Sequence, residues 1–310
     1  MKYHLFDAHC DTLVKAYEEN KILFKNDLHI DFERLMKYDS PLQFFAMWID
    51  KKYFSNAFDR TNKYIDFFES QIAENKNIVS KVHTYEDYIN NKKNGRISAF
   101  LAIEGGEAIE DKIENLVSLY NRGVRAMTLT WNYANLIADG TGVEEPKGLT
   151  EFGREVVCTM NKLGMIVDVS HLADKSFWDV CEEAKKPFIA THSNARSICS
   201  HKRNLTDKQL KTLADKGGVT GLNIYSKFIS DNEYCDISDV LKHVDHILNV
   251  AGEDVLGIGC DLDGIETMPE GFSGVESLEY LLNTISDKYG ERIAEKIAFK
   301  NFSRVLNDTL

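Results

Sequence analysis

Short runs of apolar and β-branched residues recur at Tyr3–Ala8, Pro41–Ile49, Ile97–Ile103, Ala126–Thr130, Met165–Val169, Phe188–Thr191, Val219–Asn223 and Val255–Gly259. Their length and composition predict buried strands. Between them, apolar residues return at helical spacing over Arg60–Asn75, Ile109–Asn121, Thr150–Leu163, Lys175–Ala184, Asp207–Ala214 and Ile237–Val250. Several of these segments open on Ser, Thr or Asp, which satisfy the free N–H groups of a first helical turn. Eight strands, each followed by helical material, predict an α/β fold, the (β/α)8 TIM barrel. The longest interruption, Lys51–Asn94, keeps an amphipathic pattern and predicts a helical insertion beside the barrel.

Length and charge narrow the picture. A chain of 310 residues can bury one large core, and without a Ser/Gly-rich linker or internal repeat one domain over 1–310 is expected. Its 37 basic and 49 acidic residues leave a net charge of −12, which argues against a nucleic-acid partner. No stretch approaches the roughly 18 apolar residues of a membrane span. The first strand begins too early for a signal sequence, so a soluble, cytoplasmic protein with no membrane partner is expected. Cys10, Cys158, Cys181, Cys199, Cys235 and Cys260 are scattered singly and predict reduced thiols. A Cys199–Cys235 bridge stays open as an alternative.

The chemistry gathers where strands end. Asp7-Ala8-His9-Cys10-Asp11 follows the first run, and along a strand alternate residues share a face, which puts Asp7, His9 and Asp11 together. His9 and Asp11 read as ligands and Asp7 as an outer partner that orients them. An isolated His-x-Asp pair is more often a surface couple, so the reading needs the other fragments. Glu104 closes the apolar run Ile97–Ile103 and precedes Gly105-Gly106, where the backbone can turn sharply. It reads as a helix-capping residue or as a carboxylate bridging two cations. His171 and His192 each lie just past the end of a run. Either alone is usually a satisfied polar residue; two on successive strands reverse that preference.

Imidazoles with carboxylates suit zinc or a similar borderline metal, whereas calcium takes oxygen alone. His9, Asp11, Glu104, His171 and His192 are too many donors for one tetrahedral ion with an open position. They fit two ions sharing Glu104, which would convert a shared water to hydroxide near neutral pH. Asp261, in Gly259-Cys260-Asp261-Leu262-Asp263-Gly264, is placed to move a proton, with Asp263 read as a turn residue. Arg203 reads either as a solvated loop charge or as a fork that grips a carboxylate.

Taken together, Phe6–Thr12, Ile103–Gly106, Gly148–Val157, Leu163–His171, Thr191–Arg196, Arg203-Asn204 and Gly259–Gly264 resemble the renal, or membrane, dipeptidase family of zinc peptidases over nearly the whole chain. The resemblance implies a zinc-dependent dipeptidase with two zinc ions, one similar to a His9/Asp11/Glu104 site and one to a Glu104/His171/His192 site. It implies dipeptide substrates, some with a D-residue at the C-terminal position. It makes Asp261 the general acid/base and Arg203 the clamp on the substrate carboxylate, and suggests a homodimer. Where mammalian members carry a histidine, this chain has Trp131 within Leu129-Thr130-Trp131-Asn132-Tyr133, as bacterial-type members do. Oxyanion stabilisation then falls to the second zinc and Asn132. The rival readings are another metal-dependent amide or lactam hydrolase on the same barrel, and a catalytically weak homologue that binds zinc and dipeptides.

Overall fold

Apolar runs too short for helices find partners as parallel strands in the computed structural model, which describes residues 3–232 and 234–310. The strands are β1 His4–Asp7, β2 Asp39–Trp48, β3 Val79–Lys81, β4 Ile97–Glu104, β5 Val124–Thr128, β6 Ile166–Asp168, β7 Thr220–Leu222 and β8 Leu256–Ile258. They are ordered β6-β5-β4-β2-β1-β8-β7, all paired in parallel, with β3 joined to β4. The expected strand Phe188–Thr191 forms no regular ladder. It bridges instead, pairing Ile189 with Asp168 of β6 and Ala190 with Thr220 of β7. Those bridges close the ring of eight staves into a (β/α)8 barrel.

Two local expectations differ. Val79–Lys81 is a short strand inside the segment read as a helical insertion, which does supply the helices Ala57–Glu74 and Tyr85–Lys93. Three residues with one buried valine carry too little alternation to be seen in advance. The helices Thr12–Glu18, Leu278–Tyr289 and Asn301–Thr309 were also not foreseen. By contrast, Thr150 and Thr206 cap their helices as their sequence context suggests, accepting from Gly153 and Gln209 N–H groups.

The barrel interior is packed. Phe6, Phe44 and Phe100 of β1, β2 and β4 stack with ring centroids 5.3 and 5.4 Å apart, and Phe302 of the last helix meets Phe6 at 5.3 Å. The helix Asn301–Thr309 thus plugs the lower end, and Val305 and Leu306 complete the same buried cluster. Alternate residues such as Phe45, Met47, Leu101 and Ile103 face the surrounding helices. With the bottom filled, only the C-terminal ends of the strands are open. Register aligns that mouth: Trp48 pairs with Glu104, Glu104 with Thr128, and Thr128 with Asp168.

Candidate metal centre

Every donor singled out in the sequence reaches this mouth. β1 ends at Asp7, so strand alternation does not continue to Asp11, which stands at the start of the helix Thr12–Glu18. The turn between them brings His9 Nε2 to 3.5 Å from Asp11 Oδ2, 3.6 Å from Glu104 Oε1 and 3.8 Å from Asp261 Oδ1. Also close to Glu104 Oε1 lie His171 Nε2 at 2.8 Å and His192 Nε2 at 3.5 Å, with the two histidine nitrogens 2.9 Å apart. His9, Glu104 and His192 form one close donor set, and His9, Asp11 and Asp261 form another.

The outer atoms decide which nitrogen of each ring faces inward. His171 Nδ1–H donates to Asn132 Oδ1 at 2.8 Å, and His192 Nδ1–H donates to Thr191 Oγ1 at 2.7 Å. Thr191 in turn donates to Asp168 Oδ2 at 2.6 Å, an oxygen that also accepts from Thr128 Oγ1 at 2.6 Å. Asp168 Oδ1 takes the N–H groups of Ser170 and Thr191, both at 2.9 Å. Both Nε2 atoms therefore present lone pairs, to each other and to a carboxylate oxygen. Three acceptors facing one another are repulsive unless a cation or a proton lies among them. His9 Nε2 is likewise buried, with no hydrogen-bond partner among the described residues.

Spacing agrees with shared coordination. Two donors each roughly 2.0–2.2 Å from one ion lie about 3.3–3.6 Å apart at tetrahedral angles and about 2.9 Å apart at right angles. The separations of 2.8 to 3.8 Å around Glu104 and His9 span that range. The residues present thus fit divalent metal.

Electrostatics point the same way. Burial, reinforced by Asp11, pushes the Glu104 carboxyl well above its usual range. Burial lowers His171 and His192 far below the usual imidazole value, leaving them neutral, as ligands must be. For His9, burial pulls downward, but Glu104, Asp11 and Asp261 outweigh it and raise the ring to about 10. Burial lifts Asp261 to about 7. A divalent charge would replace the proton these groups otherwise compete for.

Backbone geometry is unusual at this site. His171, Asp261 and Asp263 adopt left-handed φ of 66°, 64° and 70°, each costing roughly 1–3 kcal/mol. A Cβ on Gly264 would lie 2.2 Å from Asp11 Oδ2 and 2.5 Å from Asp261 Oδ1, so this position must be glycine for the carboxylates to hold their places.

Other candidates find different partners. Asp7 does not reach the His9 ring; its oxygens accept from Gln43 Nε2 and from the N–H of Cys260, tying β1 to the end of β8. Asn132 lines the cavity, but its oxygen is held by His171 and by Thr141 Oγ1. Asp263 accepts from Thr12 Oγ1 and the His29 N–H. Arg203 is not a solvated loop charge: it is 4% exposed, and its Nε has no partner. Among the described residues its Nη atoms make only long hydrogen bonds, 3.4 Å to Ser193 Oγ and 3.5 Å to His192 O. Asn223, whose Nδ2 donates to Asp261 Oδ2 at 2.9 Å, went unnoticed in the sequence, although a polar residue closing an apolar run was a usable signal. All six cysteines are unpaired, so no Cys199–Cys235 bridge forms.

A family model for membrane dipeptidases, peptidase family M19, matches residues 1–309. The chain belongs to this family. An uncharacterized dipeptidase of Schizosaccharomyces pombe is 31% identical, the match spanning 92% of this chain and 74% of that protein. An uncharacterized Klebsiella pneumoniae protein from the pqqA 5' region is 36% identical over 66% of this chain and 80% of its own. Among solved structures, a metallo peptidase from Rhodobacter sphaeroides, liganded with a phosphinate mimic of the dipeptide L-Ala-D-Ala, superposes with a TM-score of 0.92. It is 25% identical, and the match covers 100% of both chains. Another M19 metallo peptidase, a dipeptidase, matches at 0.93 and 26% identity over 100% of this chain and 99% of that one. The protein is thus a metallo-dipeptidase of family M19. Among the described residues no helix is long and apolar enough to cross a membrane.

Proposed function

We propose that this dipeptidase uses two zinc ions that share Glu104, with His9 and Asp11 on one side and His171 and His192 on the other. The observation that carries the reading is the meeting of two neutral-histidine lone pairs with Glu104 Oε1 at 2.8 and 3.5 Å in a buried site. Such a metal pair polarises a peptide carbonyl and supplies a nucleophile from water at neutral pH. Asp261 accepts and returns the proton, held by Asn223 at 2.9 Å and within reach of the donor cluster. Arg203, buried and short of partners, binds the free carboxylate of the substrate, which restricts turnover to very short peptides. Asn132, its oxygen held by His171 and Thr141, lines the cavity and offers its amide N–H groups to the substrate carbonyl.

Similarity to a relative that holds a phosphinate mimic of L-Ala-D-Ala supports acceptance of a D-residue at the second position. We extend the reading to one barrel domain over 1–310 and, on the resemblance alone, to a homodimer. Unpaired cysteines support a reducing, cytoplasmic setting. Metal analysis combined with hydrolysis of L,L- and L,D-dipeptides before and after chelation tests the proposal. Two zinc ions per chain and loss of dipeptide turnover on chelation are expected. Faster hydrolysis of N-acylated amino acids than of dipeptides would overturn it.

A further inference from the structure

Trp48 and Trp131 stand beside the donor cluster yet offer it no ligand atom. Trp48 closes β2 directly opposite Glu104, and Trp131 follows β5. Their ring centroids are 5.4 Å apart, and Trp131 lies 6.0 Å from the His171 ring and 5.1 Å from Tyr133. Both indoles line the cavity above the metal centre, which measures about 970 Å³. That is the upper end of the roughly 300–1,000 Å³ that encloses drug-sized ligands. An alanyl dipeptide leaves much of such a space, and the indole faces, in contact with water.

The wall is built in advance of any ligand. The loop after Trp131 folds back on itself, with Gly140 N–H donating to Tyr133 O at 3.1 Å, Gly142 N–H to Asn132 O at 2.8 Å and Thr141 N–H to His171 O at 2.8 Å. A Cβ on Gly140 would lie 2.1 Å from Trp131 O, so glycine is what lets the returning loop pass. Outside, the Lys51 ammonium sits 3.4 Å above the Tyr133 ring and holds the rim.

Ring order fixes which end of a substrate meets this wall. Following the sheet from β2 through β4, β5 and β6 to the bridging segment 188–191 leads to the far side of the barrel. Arg203 lies there, against His192 O and Ser193. A dipeptide with its carboxylate on Arg203 and its scissile carbonyl over the donors extends its first residue toward the tryptophans.

We infer that Trp48 and Trp131 form the subsite for the amino-terminal side chain and make the enzyme selective for dipeptides whose first residue is aromatic or large and apolar. The inference rests on the dipeptidase reading and on Arg203 as the carboxylate clamp. Covering indole faces with a phenyl ring removes apolar surface from water, which corresponds to about tenfold or more in kcat/KM over alanine.

The test uses the full-length, zinc-replete enzyme and compares kcat/KM for L-Phe-D-Ala, L-Ala-D-Ala, L-Ala-D-Phe and their all-L counterparts. Phenylalanine in first position should exceed alanine by about tenfold or more, and moving it to second position should not reproduce the gain. Trp48→Ala and Trp131→Ala, with bound metal measured alongside, should bring the first-position Phe/Ala ratio close to one; Trp48→Phe should retain part of it. A wild-type ratio near one, a preference that follows the second position, or a ratio unaffected in both alanine variants would overturn the subsite. The wild-type panel decides alone if a variant does not fold. Hydrolysis of no dipeptide by the zinc-replete enzyme would remove the dipeptidase reading and the subsite together, whereas hydrolysis without first-position preference removes only the subsite.

Discussion

Replacing Thr191 by valine isolates the hydroxyl that connects Asp168 to His192 while preserving side-chain shape. Thr191, Asp168 and His192 are all at most 1% exposed, so water cannot stand in for the lost group. Asp168 keeps its bonds from Thr128 Oγ1 and from the N–H groups of Ser170 and Thr191, but the His192 Nδ1–H loses its acceptor at 2.7 Å. An unsatisfied buried donor costs about 1–3 kcal/mol of stability in the metal-free protein. The ring is also released to rotate or exchange tautomers, and loss of such an outer partner typically lowers metal affinity about 10- to 100-fold, or about 1.4–2.7 kcal/mol. Competition against a chromophoric chelator measures the affinity, and urea unfolding of the metal-free protein measures the stability. Thr191→Ser, which keeps the hydroxyl, should restore most of the metal affinity. A valine variant that binds zinc within twofold of wild type would refute the relay. Equal losses in the serine and valine variants would show that the hydroxyl by itself does not carry the effect.

Asp261→Asn should keep its metal, as read by elemental analysis, while kcat falls about 10²- to 10⁴-fold; unchanged turnover would remove Asp261 from proton transfer. His243 accepts the Ala195 N–H and donates to Ile229 O, and burial, opposed by the Ile229 bond, lowers it from 6.5 to about 4. Its ring stays neutral in the fold while the unfolded chain takes up a proton. Its contribution is therefore complete above about pH 6.5 and is lost progressively down to about pH 4, by about 3 kcal/mol. Urea midpoints between pH 7.5 and 4.5 should fall less steeply for His243→Gln than for wild type, and parallel curves would reject this. Phe302→Ala opens the lower end of the barrel and should cost about 3–5 kcal/mol. Bound zinc per folded molecule should stay unchanged; metal loss without destabilisation would show that the plug acts on the mouth instead.

Periodicity and residue chemistry alone were enough for the alternation of strands and helices, the parallel barrel and the nomination of His9, Asp11, Glu104, His171, His192 and Asp261. Strand ends are visible in a sequence because apolar runs stop where polar ligands begin. Tertiary structure decided what a linear pattern cannot encode, namely which atoms face which. Phe188–Thr191 reads as a full strand but only bridges its neighbours, Ile189 bonding to Val167 and Val169 on one side and Ala190 to Val219 and Gly221 on the other, so its pairing is one residue deep on each side. Asp7 has the spacing of a ligand partner yet ties β1 to the end of β8, since the chain leaves the strand before reaching His9. The Thr191 relay, the Asn223 contact with Asp261 and the tryptophan wall join residues from separate staves. Their proximity follows from ladder register and ring closure, and neither is written in any one segment of the chain.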